Sequence, residues 1–418
     1  METAKRASQA SFANEAKPQA YAWVVTAVVW LSGICMPLNM LKVSILAPVI
    51  MAHFGIGSDA ISWVMALFYI VGVLLALPGA LIVNRIGCKS TLVLSMVCGI
   101  VGGLMGYLAQ DLVVFMASRV VEGIGFGLIG TAAVPAISAW FPPTKRGVPL
   151  GIWAIYVTVA FLIGPNLFSN LYASTGDYHI VWLVCLVIDV IVLIALMALY
   201  RDAPSASMGR THIGGERTSV PSNFRNFKRV LKNPSVWLIG LIFFCEEVPF
   251  LGMSNFLTTY ATTETAIPLT TMATIISIMA VVGCVVNPLS GRISDKIKSN
   301  KKLMVVSCIG GTIYAWLVFQ ANTVEGFIPV IACNALAGGI IPTMIWSAIP
   351  KVVEREEDIA SASSVVLFFQ QLAAFSGSRV LGAVVGSFGS FAMAGMWFMA
   401  PIFASGLVVV LLGWKKLP

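Results

Sequence analysis

The sequence predicts an all-α membrane protein with about twelve spans in two related halves. Three observations carry this reading: an excess of apolar residues, apolar runs long enough to cross a bilayer, and basic residues gathered in alternate loops. Of 418 residues, 58% are hydrophobic and only 11% charged, with a mean hydropathy of +0.91. Soluble domains run roughly 45–50% apolar and about 25% charged. Charges this sparse cannot clothe a water-facing surface of this size. The apolar runs around Leu74–Leu81, Val113–Val121 and Leu183–Leu199 belong to stretches of about 20 residues, enough to cross a hydrocarbon core of roughly 30 Å as a helix. In lipid the backbone must satisfy its own polar groups, which makes each run helical. The alternation of about ten residues that a membrane β-barrel requires is missing.

The spans fall, in order, near 21–52, 58–83, 90–109, 112–139, 148–173 and 179–200, then 235–263, 270–290, 303–322, 326–348, 359–386 and 388–414. The first run follows a polar tail and is too long for a signal-peptide core. Orientation comes from charge. Lys5, Arg6 and Lys17 precede the first span, Arg85 and Lys89 follow the second, and Lys145 and Arg146 follow the fourth. Segment 201–234 carries seven basic residues, from Arg201 to Lys232. Arg292, Lys296, Lys298, Lys301 and Lys302 follow the eighth span, and Lys415 and Lys416 close the chain. Intervening loops hold His53, Asp59, Asp111, Asp177, Glu264 and Glu325, with no Lys or Arg, while 350–358 is mixed. The positive-inside bias therefore puts both termini in the cytoplasm. The expected organisation is a tail (1–20), an N-terminal six-helix bundle (21–200), a cytoplasmic linker (201–234), a C-terminal six-helix bundle (235–414) and a short C-terminus (415–418). A short basic amphipathic helix is expected near 224–232, on the membrane surface.

Other classes recede. The net charge of +8 is distributed as membrane topology demands, with no nucleic-acid motif. Eight scattered cysteines lack a Cys-x-x-Cys pair and a His at ligand spacing, and read as small packing residues. No phosphate-cradling Gly-Lys motif appears, so any energy source is a gradient. The three histidines, at 53, 179 and 212, sit outside or at the edges of spans. An enzyme, a cofactor and a metal are therefore not expected.

The halves share a weak repeat. Ala80-Leu-Ile-Val-Asn84-Arg85-Ile-Gly87-Cys88-Lys89 follows the second span, and Gly291-Arg-Ile-Ser-Asp295-Lys296 follows the eighth. Pro37 and Pro249 stand at nearly the same offset. Parallel six-span repeats are one transporter plan. Here the residues resemble the major facilitator superfamily, whose loop motif runs Gly-x-Leu-x-Asp-Arg-x-Gly-Arg-Lys. Arg85, Gly87 and Lys89 match in the first copy, and Gly291, Asp295 and Lys296 in the second. The resemblance implies gating loops there, though Asn84 replaces the acidic partner of the first copy. Arg119-Val-Val-Glu-Gly123-Ile-Gly125 is similar to the family's fourth-span pattern, and Trp140-Phe-Pro-Pro-Thr-Lys145-Arg146-Gly147 is common there. Drug antiporters of the superfamily usually carry Gly-Pro-x-x-Gly-Gly in the fifth span. Gly164-Pro165 is followed instead by Asn166-Leu167-Phe168-Ser169, which leans away from drug efflux without excluding it; within the superfamily the chain resembles the organic-anion and nitrate–cyanate-type bacterial permeases.

Ionisable residues at bilayer depth cost at least ~2.5–3.5 kcal/mol and point to function. They are Lys42, Arg119, Glu122, Asp189, Glu246, Glu247 and Arg379. The resemblance implies a central cavity lined by the first, fourth, seventh and tenth spans. Lys42 and Arg379 lie in opposite halves with no acid in their own helix, so the two could clamp one carboxylate. Arg offers a planar fork, Lys a point charge. The competing reading is an internal ion pair, such as Lys42 with Glu246 or Glu247, and Arg119 with Glu122 one turn on. Arg119, Asn39, Asn255 and Asn166 join the substrate-binding candidates. Glu122, Glu246 and Glu247 are the proton-coupling candidates. The two adjacent glutamates point about 100° apart, so one of them faces the cavity.

The function expected is secondary transport of a small organic anion across the cell membrane by alternating access, as proton symport or anion exchange. The partners are a small-molecule substrate, a proton or counter-anion and the lipid bilayer, and the protein works as a monomer. The alternative is proton-driven efflux of a drug or cationic metabolite, with the glutamates binding the cation.

Overall fold

The structure, a computed structural model, describes residues 20–75, 78–142, 145–203, 227–353, 355, 358–413 and 417. The tail, most of the linker and the last basic residues lie outside the described residues.

The chain crosses the membrane twelve times. The first span is Ala20–Ile45, continued by Ala47–Phe54, and the second is Ser58–Leu75, followed by Gly79–Ile86. The third is Cys88–Leu108 and the fourth Leu112–Ser138. The fifth joins Gly147–Ala154 to Tyr156–Thr175, and the sixth is His179–Leu199. Then come Pro234–Glu264, Leu269–Ile297, Asn300–Leu317, Phe327–Val352 and Ile359–Phe388. The twelfth span runs through Phe391–Ala394, a π-helical turn at Gly395–Met399, and Ala400–Leu412. Among the described residues eleven helices are long and apolar enough to span a membrane. The ninth, Asn300–Leu317, opens on Asn-Lys-Lys, which lowers its apolar average.

Two readings change. The motif after the second span is mostly helix, ending at Gly87, whose φ of 84° only glycine adopts without strain. The eighth span likewise runs to Ile297 and ends at Lys298 with φ 54°. Both segments are polar enough to look like loops, yet a helix passes from lipid into the headgroup region without breaking. The ninth span stops at Leu317 rather than near 322.

The first six helices pack on one another, as do the last six, and the halves meet along three pairs: second with eleventh, fifth with eighth, and first with seventh. Glycines allow these approaches. A Cβ on Gly382 of the eleventh span would stand 2.6 Å from Ser58 O, and one on Gly386 3.2 Å from Asp59 Cβ. Such small-residue contacts are the usual means of close helix packing in lipid.

Polar contacts cross between the halves along all three pairs. Ser44 Oγ donates to Asn255 Oδ1 at 2.9 Å, and Asn255 is held in turn within its own half, its Nδ2 donating to Ser378 Oγ at 2.8 Å. Thr258 Oγ1 donates to Ser44 O at 2.6 Å. Asn166 Nδ2 donates to Ser277 Oγ, and Thr274 Oγ1 donates to Asn166 Oδ1, both at 2.9 Å. Arg379 reaches Asp59 at 2.6 Å and Ser62 at 3.0 Å. Every one of these contacts lies toward the end that carries the 55–57, 176–178, 265–268 and 389–390 turns, so the molecule is closed at that end.

Candidate functional site

The charged residues of the N-terminal half form one sealed cluster. Glu122 is its centre: Oε1 lies 2.6 Å from Lys42 Nζ, and Oε2 pairs with Arg119 one turn back on the same helix. Lys42 also donates to Asn39 Oδ1 at 2.8 Å, and Arg119 donates to Asn39 O at 3.0 Å. Asn39 Nδ2 donates in turn to Asp189 Oδ2 at 2.7 Å and to Cys35 O at 3.1 Å. Lys42 is 0% exposed, and Arg119, Glu122, Asn39 and Asp189 are at most 2% exposed. Two aromatic faces finish the cage: Trp182 lies 5.0 Å from Lys42 Nζ, and Phe68 lies 4.7 Å from the Arg119 guanidinium.

The third span makes room for this cluster. A Cβ on Gly102 would come within 2.6 Å of Glu122 Cγ and 2.8 Å of its backbone nitrogen. One on Gly103 would stand 3.7 Å from Glu122 Oε1 and 3.9 Å from Lys42 Nζ. The glycine face of the third span thus lets the fourth approach until the ion pair is enclosed by the first, third, fourth and sixth spans.

Arg119 faces the second span, whose Phe68 ring lies against its guanidinium. Its Nε has no hydrogen-bond partner among the described residues. Beside it on the second span stands Tyr69, whose hydroxyl donates to Met40 Sδ at 2.9 Å and lies within electrostatic reach of both Arg119 and Glu247. Glu247, 6% exposed, therefore addresses the N-terminal half. Glu246, 1% exposed, turns the other way, against Gly406 of the twelfth span and Cys308 of the ninth. Among the described residues, neither of its carboxyl oxygens has a hydrogen-bond partner in good geometry.

The structure does not bring Lys42 and Arg379 together. Arg379 lies at the closed end, a quarter exposed, between Asp59 and the Trp63 ring at 4.6 Å. Each cation has an acid after all, supplied by a different helix. Lys42 pairs with Glu122 and not with Glu246 or Glu247. Asn39 belongs to the cluster, whereas Asn255 and Asn166 belong to the contacts between halves. Of the motif residues, Arg85, Asp295 and Lys296 are exposed, and a Cβ on Gly291 would stand 3.6 Å from Thr343 Cγ2. The Asn84 side chain lies outside the described residues. Lys89 caps the sixth span instead: it donates to Tyr200 O at 3.0 Å and Met197 O at 3.4 Å, the carbonyls at that helix's C-terminus. Ser44, Asp59, Tyr69 and Ser378 gain roles that their types, as common hydroxyls or a loop acid, did not announce.

Two six-helix bundles closed on each other at one end, with charges buried between helices, have the architecture of a membrane transporter. Residues 29–378 match the family model for the Major Facilitator Superfamily, and the chain belongs to that family, whose members are transporters and not enzymes. It is a multi-pass protein of the cell membrane. The Hexuronate transporter of Bacillus subtilis (strain 168) is 20% identical over 91% of this chain and 92% of its own length. A probable sulfoacetate transporter, SauU of Cupriavidus necator, is 22% identical over 62% of each chain. The uncharacterized MFS-type transporter YhcA of Bacillus subtilis is 25% identical over 40% of this chain, which spans only 31% of that relative. Among solved structures, a bacterial homolog of the human lysosomal transporter Spinster, inward-facing and unoccupied, superposes with a TM-score of 0.72. That likeness covers 96% of this chain and 97% of the other at 15% identity.

Proposed function

We propose that this transporter moves a small organic anion, a carboxylate or sulfonate of the hexuronate or sulfoacetate kind, together with a proton. The observation that carries the reading is the sharing of one carboxylate, Glu122, by two buried cations, Lys42 and Arg119. A substrate carboxylate has the same charge and the same two oxygens. When Glu122 takes a proton, its hold on both cations weakens, and an incoming anion can replace it on the Arg119 fork. Glu122 is thus the favoured coupling residue, with Glu247 across the interface as the second. Two relatives similar over more than half of their length are named for anions.

The basic ends of the spans face the cytoplasm on this reading, with both termini inside. The closed end is then external, and the site opens inward. The bundles 21–200 and 235–414, joined by linker 201–234, rock about the cluster and expose it to each side in turn. Arg379–Asp59, Asn166 and Asn255 hold the external side shut, and the motif residues around Arg85 and Asp295 serve the internal side. The protein works as a monomer.

The test is uptake into proteoliposomes of labelled glucuronate, galacturonate and sulfoacetate, with ethidium as a cationic control. Saturable uptake of at least one anion, driven by an inward proton gradient and abolished by uncoupler, is expected. Transport of ethidium with no anion uptake would overturn the reading in favour of efflux.

A further inference from the structure

Asp189 takes no part in the transport chemistry above, yet it is the fourth charge of the sealed cluster. It comes from the sixth span, 2% exposed. Asn39 connects it to Lys42: the amide oxygen accepts from the ammonium at 2.8 Å, and the amide nitrogen donates to the carboxylate at 2.7 Å. An amide can serve a cation with its oxygen and an anion with its N–H, and not the reverse. The orientation seen is the one that links opposite charges. The charged groups acting on Asp189 are Lys42 and Glu122, and its other titratable neighbours are two thiols, Cys35 of the first span and Cys185 of its own helix. Gly99 of the third span leaves it space, since a Cβ there would stand 3.6 Å from Asp189 Oδ2.

Formal charges balance only when Asp189 is counted. Lys42 and Arg119 are two cations, and Glu122 and Asp189 are two acids. Of the two acids, Glu122 alone touches both cations. If it loses its charge, both lose their direct partner at once. Lys42, fully buried, cannot turn to water, and an uncompensated buried charge is among the most destabilising arrangements in a protein.

We propose that Asp189 is the standing countercharge of Lys42, acting through the Asn39 amide, so that Lys42 stays ionised when Glu122 is neutralised. The last clause rests on the reading of Glu122 as the proton carrier, but the charge coupling of Lys42 to Asp189 does not. Asp189 is a positioning residue: it keeps a cation in place for the anion without touching the anion.

A thermal-stability cycle in detergent tests the coupling without any substrate. Lys42→Met and Asp189→Asn are each expected to lower the unfolding midpoint by roughly 5–10 °C. The double variant keeps the balanced Arg119–Glu122 pair and is expected to recover at least half of the larger loss. Asp189→Glu, which preserves the charge, should retain most of the midpoint. Additive losses in the double variant, or equal losses for Asp189→Asn and Asp189→Glu, would overturn the proposal. If a single variant yields no folded protein, recovery in the double variant gives the same answer. If the double variant also fails, the comparison of Asp189→Asn with Asp189→Glu decides. A second arm uses glucuronate counterflow. Asp189→Asn is expected to reduce it at least tenfold and Asp189→Glu to keep most of it, whereas an unchanged rate in Asp189→Asn contradicts the proposal. Absence of counterflow in the unmodified protein would instead count against the anion reading, leaving the stability cycle to judge Asp189.

Discussion

The two halves bury acids in opposite ways. In the N-terminal half, Glu122 sits between Lys42 and Arg119 with both oxygens engaged. In the C-terminal half, Glu246 is equally buried, yet among the described residues neither oxygen has a partner in good geometry. The difference separates a charge that the fold depends on from an acid whose charge nothing described compensates. Removing one partner from a buried pair costs about 3–5 kcal/mol because the other charge is stranded. Replacing an unpaired carboxyl by a neutral amide of the same shape strands nothing. Glu122→Gln is therefore expected to destabilise the protein by about 3–5 kcal/mol, and Glu246→Gln by less than about 1 kcal/mol. Thermal unfolding of the two variants side by side measures this. Bound glucuronate should return part of the loss in Glu122→Gln, because a ligand that binds only the folded state stabilises it. Equal losses for the two variants would erase the contrast between the halves.

Packing around the two acids sharpens the comparison. Each acid lies against a glycine of a neighbouring helix, but the glycines face different things. A Cβ on Gly102 would meet the backbone of the fourth span, at 2.8 Å from both Glu122 N and Ser118 O. Backbone of a packed helix cannot step aside. A Cβ on Gly406 would meet Glu246 Oε1 at 3.1 Å and Cys245 Cβ at 3.4 Å, and a carboxyl tip can rotate away. Gly102→Ala is expected to cost about 1–3 kcal/mol by overpacking, and to weaken anion uptake by prising the fourth span from the third. Gly406→Ala should fall within about 1 kcal/mol of the parent, since alanine also favours the helix. Midpoints in the same detergent, with uptake measured in parallel, check both.

The spans are legible in the sequence because hydropathy is a property of one segment at a time. The start of the fourth span at Leu112 and of the eleventh at Ile359 can be read directly from where polar residues give way to apolar ones. Pairings are not legible, because they are properties of two segments. Lys42 and Arg379 look alike, each without an acid in its own helix, and the chain order gives no hint that Glu122 and Asp59 stand opposite. The Arg119–Glu122 pair is legible, since three residues apart on a helix means the same face. Asp189 can be recognised as costly but not aimed, because the sixth span is apolar all round and offers no polar stripe to set its rotation. The Glu246–Glu247 pair is half legible: adjacency fixes that they diverge, and only the placement of the seventh span shows which way each turns. The helical motif at Gly79–Ile86 reads as a loop because polar composition signals the membrane boundary, not the end of the helix.

The same contrast between sealed and accessible charge predicts a small effect at the closed end. Arg379–Asp59 joins the halves as Lys42–Glu122 joins helices within one half, and both are 2.6 Å long. Asp59, however, is 55% exposed, against 1% for Glu122. An ion pair in contact with water contributes only about 0.2–1 kcal/mol. Arg379→Gln is thus expected to leave the unfolding midpoint nearly unchanged. Its effect belongs to the balance between closed and open ends, since the pair exists only when the end is shut. Ser378, adjacent in sequence and 0% exposed, reports that balance. In a background with the exposed Cys284 replaced, Ser378→Cys should react slowly with a membrane-impermeant maleimide. Adding Arg379→Gln should speed the reaction about two- to fivefold, the factor that about 0.5–1 kcal/mol supplies. High salt should speed it in the parent and not in the variant, because screening acts on the exposed pair alone. A rate unchanged by either treatment would mean that the hydroxyl and amide contacts of Ser44, Asn255 and Thr258 hold this end shut by themselves.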